Sequence, residues 1–414
     1  MKNPLILFAV RCLLKLIVVA ASPFAKVRFG LILHRSVGRI SGNVEYYFRK
    51  RERDKDGEIH ILVAGTDPVN KQLMTMIRRK AKATKGTYLI ECDFLWNLFR
   101  EAQGGRPAQP GRQGTDIDLS IWVNLRHAGY LIEWETWEEM GPQLQFTAEE
   151  ETKGQALLKT LGLPEGAEFV VIHARDKAYT DSPDSIRLID DYFTYNDFRD
   201  CDIQSYMPAA EWLTEQGIWV IRVGHVVEGP IQNDNPMIVD YAGRFRRHIE
   251  DPDFADVFLQ AKCKFFLGCT AGIYYYSHMF DVPMAFVHMA PLAETGRVEH
   301  DLFILKRYWH SGKNRFLTFK EMVDRGADYN RIWHDTLRRY EEEGIEITDN
   351  APEDLLELTK EMYARLAGTW KPEPGDAELQ QGFRDAFPEG HPMRDFRGYM
   401  GADYTRKNKE LLLP

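Results

Sequence analysis

Hydrophobic and polar positions alternate along the chain in a way that predicts strands followed by helices. In the first half, the apolar run Ile59–Ala64 predicts a buried strand, and the helix after its Gly-Thr-Asp-Pro loop begins at about Asn70. A second strand and helix follow in GTYLIECDFLWNLFREA. A further helix is predicted from Thr147 to about Leu161, because Thr147 can cap it and acidic residues fill its first turn. We place the domain boundary just after it, near residue 164.

The second half repeats this alternation more strongly. Strands are predicted in FVVIHARD, IWVIRVG, KFFLGC and VPMAFVHM, with helices in MPAAEWLTEQG, FADVFLQAKC and TAGIYYYSHMFD. A strand and a long helix follow in GIEITDNAPEDLLELTKEMYARLAG, before a polar tail that begins at Lys371. Apolar strands separated by helices are typical of a parallel, doubly wound sheet. The predicted fold class is therefore α/β, with two doubly wound domains.

Composition narrows the function classes. The chain of 414 residues has a net charge of -9, which argues against nucleic acid as a partner. Its five cysteines include no C-x-x-C pair, so they indicate neither a disulfide framework nor a zinc site, and they fit the reducing cytoplasm. The G-x-G-x-x-G and G-x-x-x-x-G-K-[ST] motifs are absent, which weakens the case for a dinucleotide enzyme or a P-loop hydrolase. We expect no cofactor and no bound metal.

The N-terminal segment, residues 1–44, has a charge of its own. It carries +7 with no acidic residue, so the remainder carries -16. Arg11 and Lys15 interrupt its apolar run and share one helix face, and the longest uncharged stretch, 16–25, is too short to span a bilayer. We expect a helix that attaches the protein peripherally to the inner face of the cytoplasmic membrane. A secretory signal and an ordinary packed helix are the alternatives.

Ionisable and small residues follow three predicted strands of the second half. In open parallel sheets, ligands bind beside the carboxyl ends of the strands. Arg222 at one strand end can grip a diphosphate in a bidentate contact, although a structural salt bridge is the alternative. Thr270, within Gly268-Cys269-Thr270-Ala271-Gly272, can help a helix N-terminus bind a phosphate, or it can simply cap that helix. Donor-site candidates are Arg175, Arg199, Asp200, Asp202, Arg222, Gly224, Cys269, Thr270, Ala271 and Gly272.

Other polar residues have two interpretations each. Asp200 and Asp202 precede a helix and can cap it or contact a substrate. The scattered histidines His225, His278 and His288 are expected to be hydrogen-bonded structural residues rather than metal ligands. In the first half, one strand-end loop could face an acceptor, through Gly65, Thr66, Asp67 and Asn70.

The second half also resembles a known family. The stretches FVVIHARD, YFTYNDFRDCDIQSYMPAAEWLTEQGIWVIRVG and DFADVFLQAKCKFFLGCTAGIYYYSHMFDVPMAFVHMAPL are similar to bacterial glycosyltransferases of surface-polysaccharide and glycan biosynthesis. The similarity covers about residues 165–310, with weaker matches at 68–73 and 401–408. It implies a GT-B fold of two facing Rossmann-like domains, 45–163 for the acceptor and 164–370 for a nucleotide-sugar donor. The tail, 371–414, could pack back on the N-terminal domain.

The resemblance also implies roles for individual residues. His173-Ala174-Arg175 is similar to the strand-end H-x-R with which fucosyltransferases of this architecture hold the donor diphosphate. Sugar transfer needs positively charged side chains beside the leaving diphosphate, because negative charge builds up on it. Arg175 and Arg222 can supply them. It also needs a base for the acceptor hydroxyl, for which Asp176 and His173 are the candidates. Alternatively, His173 is a buried structural histidine, and Asp176 is a loop cap or a partner of Lys177.

Together these features predict a metal-independent glycosyltransferase. Its donor would be a nucleotide-diphosphate sugar, and its acceptor a lipid-linked or surface glycan. A nucleotide-sugar epimerase of the same fold and a non-catalytic glycan-binding protein are the alternatives.

Overall fold

The computed structural model describes Cys12, Leu16, Pro23 and residues 26–102, 134–182, 194–292, 298–327 and 334–412. These residues form two compact units. The first comprises the described residues through 102 together with 135–146, and the second comprises Trp134 and the residues from 147 onward. The helix predicted from Thr147 to about Leu161 therefore belongs to the second unit, and the boundary lies earlier than residue 164.

The first unit contains a parallel sheet of three strands in the order β1-β2-β3. These strands are β1 (Val27–Leu31), β2 (Ile59–Ala64) and β3 (Thr87–Glu91). Its helices are α1 (Val44–Asp54), α2 (Lys71–Ala83), α3 (Asp93–Ala102) and α4 (Trp134–Glu139). The Asn70 side chain accepts a hydrogen bond of 2.9 Å from the Leu73 backbone N–H, which begins α2 where the sequence predicted. Both predicted strand–helix units are confirmed.

Strand β1 was not predicted, because its residues lie inside the segment 1–44 that we assigned to the membrane. It pairs with β2 from Val27↔Ile59 to Leu31↔Val63, so the end of that segment is part of the first unit's sheet. The predicted membrane helix itself lies mostly outside the described residues, as does the Gly/Pro-rich stretch 104–114. Among the residues that the structure describes, no helix combines the length and apolarity needed to cross a membrane.

The second unit is built on a parallel sheet of seven strands in the order β13-β9-β8-β7-β4-β5-β6. Chain order runs outward from β4 in both directions, which is the arrangement of a doubly wound Rossmann-like sheet. This confirms the predicted α/β class. The strands are β4 (Phe169–His173), β5 (Trp219–Arg222), β6 (Ile238–Asp240), β7 (Phe266–Gly268), β8 (Met284–Met289), β9 (Leu302–Leu305) and β13 (Tyr399–Met400).

A smaller antiparallel sheet of three strands, ordered β11-β10-β12, completes the strands of this unit. It consists of β10 (Arg307–His310), β11 (Arg315–Phe316) and β12 (Ile345–Thr348). The helices of the unit are α5 (Ala148–Thr160), α6 (Lys177–Asp181), α7 (Met207–Glu215), α8 (Pro252–Lys262), α9 (Tyr275–His278), α10 (Phe319–Asp324), α11 (His334–Glu342), α12 (Pro352–Leu366), α13 (Asp376–Asp385) and α14 (Ala402–Lys407).

The tail contributes a strand to the second unit: β13 pairs in parallel with β9 through Tyr399↔Leu302 and Met400↔Phe303 and so extends that unit's sheet. The segment TAGIYYYSHMFD does not form one helix, because a 3-10 turn at Gly272–Tyr274 precedes the four residues of α9.

Candidate functional site

The site is positioned by the strand order of the seven-stranded sheet. Strand β4 lies between β5 and β7. From β4 the chain adds β5 and β6 on one side and then crosses to add β7 on the other side, so the strand order reverses at β4. In open α/β sheets, ligands bind at the carboxyl ends of the strands beside such a reversal. His173 ends β4 in register with Gly268 of β7, and Arg222 ends β5 in register with Asp240 of β6. The predicted strand-end residues therefore lie along one edge of one sheet.

His173 is buried and neutral. Its Nδ1 donates a hydrogen bond of 3.0 Å to the Val223 carbonyl, so in the neutral ring Nε2 carries the lone pair. Burial is the main cause that lowers the pKa of His173 to about 4, and the charges of Arg222 and Arg175 lower it further. The imidazole can accept a proton or a hydrogen bond at Nε2, but it is a weak base at neutral pH.

Arg175 is held in place from three sides. Its guanidinium Nη1 pairs with the Asp200 carboxylate, its backbone N–H donates to the Cys269 sulfur at 3.2 Å, and its carbonyl accepts from the Cys201 N–H at 3.0 Å. The residue is only 8% exposed. Burial, and then the neighbouring charge of Arg199, lower the pKa of Arg175 to about 10, so it stays charged at neutral pH.

Asp176 is engaged on both carboxylate oxygens. Oδ1 accepts from the Ala178 N–H at 3.0 Å and caps α6, while Oδ2 accepts from the Glu228 N–H at 3.1 Å. Oδ2 also lies 3.8 Å from Nη2 of Arg222. The geometry is that of a loop cap, one of the two alternatives to a base, and a catalytic role would have to coexist with these bonds.

Arg222 sits in a structural network. It is 2% exposed, donates from Nη1 to the Gly229 carbonyl at 2.6 Å, and lies 3.6 Å from the Asp240 carboxylate. The alternative interpretation, a structural salt bridge, therefore describes its contacts. Nε is buried without a hydrogen-bond partner. Gly224 lies close by, where a Cβ would come within 2.9 Å of Val227.

The loop after β7 differs from the predicted phosphate cradle. The Thr270 hydroxyl donates to the Met289 sulfur at 3.3 Å, so it is already used within the core. Ala271 precedes only a 3-10 turn at Gly272, too short to supply an extended helix N-terminus. The Cys269 sulfur is buried, and a hydrogen bond from Cys201 is the main cause that lowers its pKa, while burial raises the pKa of Cys201.

Asp200 and Asp202 have separate roles. Asp200 binds Arg175 with Oδ1, while its Oδ2 is buried without a hydrogen-bond partner. Asp202 is exposed and caps the 3-10 turn Ile203–Tyr206 by accepting from the Gln204 N–H at 2.9 Å, as its alternative interpretation predicted. Arg199 lies close enough to Arg175 for its charge to lower that residue's pKa.

Lys306 completes the edge and was missed from the sequence. It directly follows β9, is 2% exposed, and donates from Nζ to the Asp200 carbonyl at 2.8 Å. Nζ also pairs at 2.5 Å with Asp349, whose side chain is 44% exposed. The signal was present, since LFIL-Lys306 is an apolar run that ends in a charge, as at β4.

His288 is a second buried histidine near this edge. Its Nδ1 accepts from the Asn350 N–H at 3.0 Å, so the proton lies on Nε2, 3.3 Å from the Ser205 hydroxyl. Burial is the main cause that lowers the pKa of His288 to about 4. It has the structural role that the sequence predicted.

The first unit has its own strand-end cluster. The Gly65 N–H donates to His34 Nδ1 at 3.2 Å, and a Cβ at Gly65 would overlap the His34 ring. Thr66 donates its hydroxyl and its N–H to Asp93, and the hydroxyl is the main cause that lowers the pKa of Asp93. His34 and Asp93 were not predicted, whereas Asn70 is used as the cap of α2. Asp67 is exposed in the same loop.

One group of side chains in the described part of the chain could hold a metal ion by proximity. Ligand atoms of Asp56, Glu58 and His60 lie within 4.8 Å of one another. Arg51 pairs with Asp56 and Arg28 pairs with Glu58, so arginines already balance both carboxylates. The cluster is therefore explained as an ion-pair network.

Neither a protein-family model nor a curated protein sequence matches the chain. Among solved structures, the family 9 glycosyl transferase from Veillonella parvula is 8% identical with a TM-score of 0.43, over 82% of this chain and 97% of that one. The ADP-heptose LPS heptosyltransferase II of E. coli is 12% identical with a TM-score of 0.36, over 72% and 94%. E. coli heptosyltransferase WaaC with ADP is 10% identical with a TM-score of 0.30, over 77% and 97%. At TM-scores below 0.5, these likenesses do not assign a function.

The two buried histidines make stability depend on pH. Their folded pKa of about 4 lies below the unfolded value of 6.5, so between these values the unfolded chain binds more protons and stability falls as pH falls. We expect each histidine to lower the free energy of unfolding by about 2 kcal/mol when the pH falls from 7.5 to 5. Denaturant unfolding at both pH values should show a smaller loss for His173→Gln or His288→Gln than for wild type.

The control is His248→Gln, which replaces an exposed histidine of the same unit. This variant should keep the wild-type loss of stability at pH 5. An undiminished loss in both the His173→Gln and the His288→Gln variants would contradict the assignment of neutral, buried rings.

Proposed function

We propose that the protein is a glycosyltransferase that moves a sugar from a nucleotide-diphosphate sugar to a lipid-linked or surface-glycan acceptor. The observation that carries this proposal is a pair of buried cations at the reversal point of a doubly wound sheet. Arg175 and Lys306 are 8% and 2% exposed, and both contact Asp200 at that edge. Buried positive charge at the carboxyl ends of parallel strands suits a diphosphate that gains charge as it leaves.

The contacts that hold Arg175 in place suit stabilisation of a leaving diphosphate. Asp200 orients the Arg175 guanidinium, and Cys269 fixes the Arg175 backbone. A cation held in advance stabilises developing charge without the cost of reorganising during the reaction. We propose that Arg222 acts less directly, through its charge and by holding the loop at Gly229. Gly224, Thr270, Ala271, Gly272, Arg199 and Asp202 remain proposed donor-site residues through their place on this edge, and metal independence remains our expectation.

Donor binding should depend on Arg175. Arg175→Ala removes charge-assisted hydrogen bonds to the diphosphate, so we expect affinity for nucleoside diphosphates to fall by about 1.5–3 kcal/mol, roughly tenfold to more than a hundredfold. Calorimetry with UDP, GDP, ADP and CDP identifies the preferred nucleobase and measures the loss of affinity. Arg175→Lys keeps the positive charge but loses the paired N–H donors of the guanidinium. Its nucleotide affinity should lie between those of wild type and Arg175→Ala.

The matched control for this experiment is Arg338→Ala, an exposed arginine on α11 that pairs locally with Asp335. It should bind nucleotides as wild type does. Wild-type affinity in a folded Arg175→Ala variant would refute the donor site. A panel of nucleotide-sugars, scored for transfer, hydrolysis and sugar isomerisation, then separates a transferase from an epimerase.

The acceptor base remains one of two candidates, His173 or Asp176. Asp176→Asn keeps the size of the side chain and one acceptor oxygen but removes proton affinity, so if Asp176 is the base, turnover should fall by roughly 100-fold to 10,000-fold with donor binding nearly unchanged. His173→Asn tests the other candidate by the same two measurements. Modest effects in both variants would show that neither His173 nor Asp176 is the acceptor base.

We also propose peripheral attachment to an anionic membrane through the basic N-terminal segment. Arg11→Glu with Lys15→Glu should lower binding to vesicles that contain phosphatidylglycerol by more than tenfold, because each basic residue near such a surface contributes about 1 kcal/mol. Flotation at low and high salt measures the binding. The same change at exposed sites of the second unit, Arg338→Glu with Lys371→Glu, is the control.

Removal of residues 1–22 complements the charge reversal, because it ends before β1 begins at Val27. Transfer to a soluble acceptor should survive this removal. Unchanged vesicle binding in both variants would show that this segment is not the anchor.

A further inference from the structure

A groove on the antiparallel sheet of the second unit is unused by the donor site. Trp309 of β10 and Phe316 of β11 are directly paired, and their ring centroids lie 5.2 Å apart in an edge-to-face arrangement. Paired residues on neighbouring strands point to the same face of a sheet. Glu410 and Leu411 also line this groove, which has a volume of about 430 Å³. This volume is in the range of small-molecule binding pockets.

The rim of the groove is polar but nearly balanced in charge. Asn314 is exposed with a left-handed backbone (φ 49°), and Thr318 and Arg315 also line the groove. Arg315 is bound by the Glu321 carboxylate at 2.8 and 2.9 Å, so its charge is already compensated. Glu410 adds a carboxylate. Hydrogen-bonding groups around aromatic rings, without a strong field of one sign, suit an uncharged ligand with many hydroxyl groups.

The aromatic pair is held rigidly. The Arg307 guanidinium lies 4.6 Å from the centroid of the Phe316 ring, and the Trp309 backbone is paired with Glu346 of β12 on its other side. Fixed rings lose little freedom when a ligand stacks on them. A sugar ring presents C–H groups on its faces and hydroxyls at its edge, which matches ring surfaces surrounded by polar side chains.

We infer that this groove, defined by Trp309, Phe316, Asn314, Thr318 and Glu410, binds a neutral sugar residue of the glycan acceptor. The identification of the glycan as acceptor rests on the proposed function, but binding in the groove requires neither donor nor transfer.

The inference is tested on the full chain with neutral oligosaccharides as probes: maltohexaose, cellohexaose and chitohexaose. Saturation-transfer NMR and calorimetry should detect binding of at least one. Trp309→Ala removes the stacking surface, and we expect it to weaken that binding about tenfold or more. Phe316→Ala should act in the same direction, and Trp309→Tyr, which keeps an aromatic ring, should retain most of the affinity.

Trp370→Ala is the matched control, since Trp370 is a half-buried tryptophan of the same unit that packs against Arg365 outside the groove. It should bind the probes as wild type does. Failure of the wild-type chain to bind any probe, or wild-type binding by both Trp309→Ala and Phe316→Ala, overturns the inference. Nucleotide affinity of the Trp309→Ala variant should be unchanged. The two proposals can fail separately. If the wild-type chain binds the probes and Trp309→Ala weakens that binding, but the wild-type chain transfers no sugar, the groove is supported and the proposed function is refuted.

Discussion

The structure of the second unit depends on the complete burial of β4. All five residues from Phe169 to His173 are buried, because the strand is central in a parallel sheet. Charged groups can therefore appear only where the strand ends. There they lie in a poorly solvated region, where each charge requires a partner. The pairs Arg175–Asp200, Arg222–Asp240 and Lys306–Asp349 all meet this requirement at the same edge.

These three ion pairs differ in how deeply the carboxylate is buried. A phosphate can replace a carboxylate only if that carboxylate can return to water at low cost. Asp349 is 44% exposed and can do so, whereas Asp240 is 4% exposed and also accepts backbone N–H groups from Ile231 and Gly243. Lys306 is therefore better placed than Arg222 to exchange its partner for an anionic ligand. The difference lies in the counter-ion: that of Lys306, a residue missed from the sequence, is exposed, whereas that of Arg222, a predicted residue, is buried.

The sequence predicted elements that have a local signal. Strand β2, and the caps at Asn70 and Thr147, combine apolar runs with characteristic first-turn residues, and their bounds agree with the structure. Strands β6 and β13 have three and two residues, too few for any periodicity, and β1 was merged with the basic apolar segment before it. In the site, strand ends located Arg175 and Arg222, but their partners lie further along the chain, Asp200 in a loop and Asp240 at the end of β6. Nothing near Thr270 indicates that its hydroxyl would donate to Met289.

The late position of β13 in the chain has a consequence for biosynthesis. Every other strand of the seven-stranded sheet is synthesised before Tyr399 and Met400. The outer edge of β9 therefore has no strand to pair with until the residues between β9 and β13 have been made. An exposed strand edge of Leu302–Leu305 is a template for pairing with another nascent chain. Slow translation of the region after β9 would lengthen this exposure. The yield of folded protein from a cell should then be sensitive to codon choice in that region and to chaperones that cover strand edges.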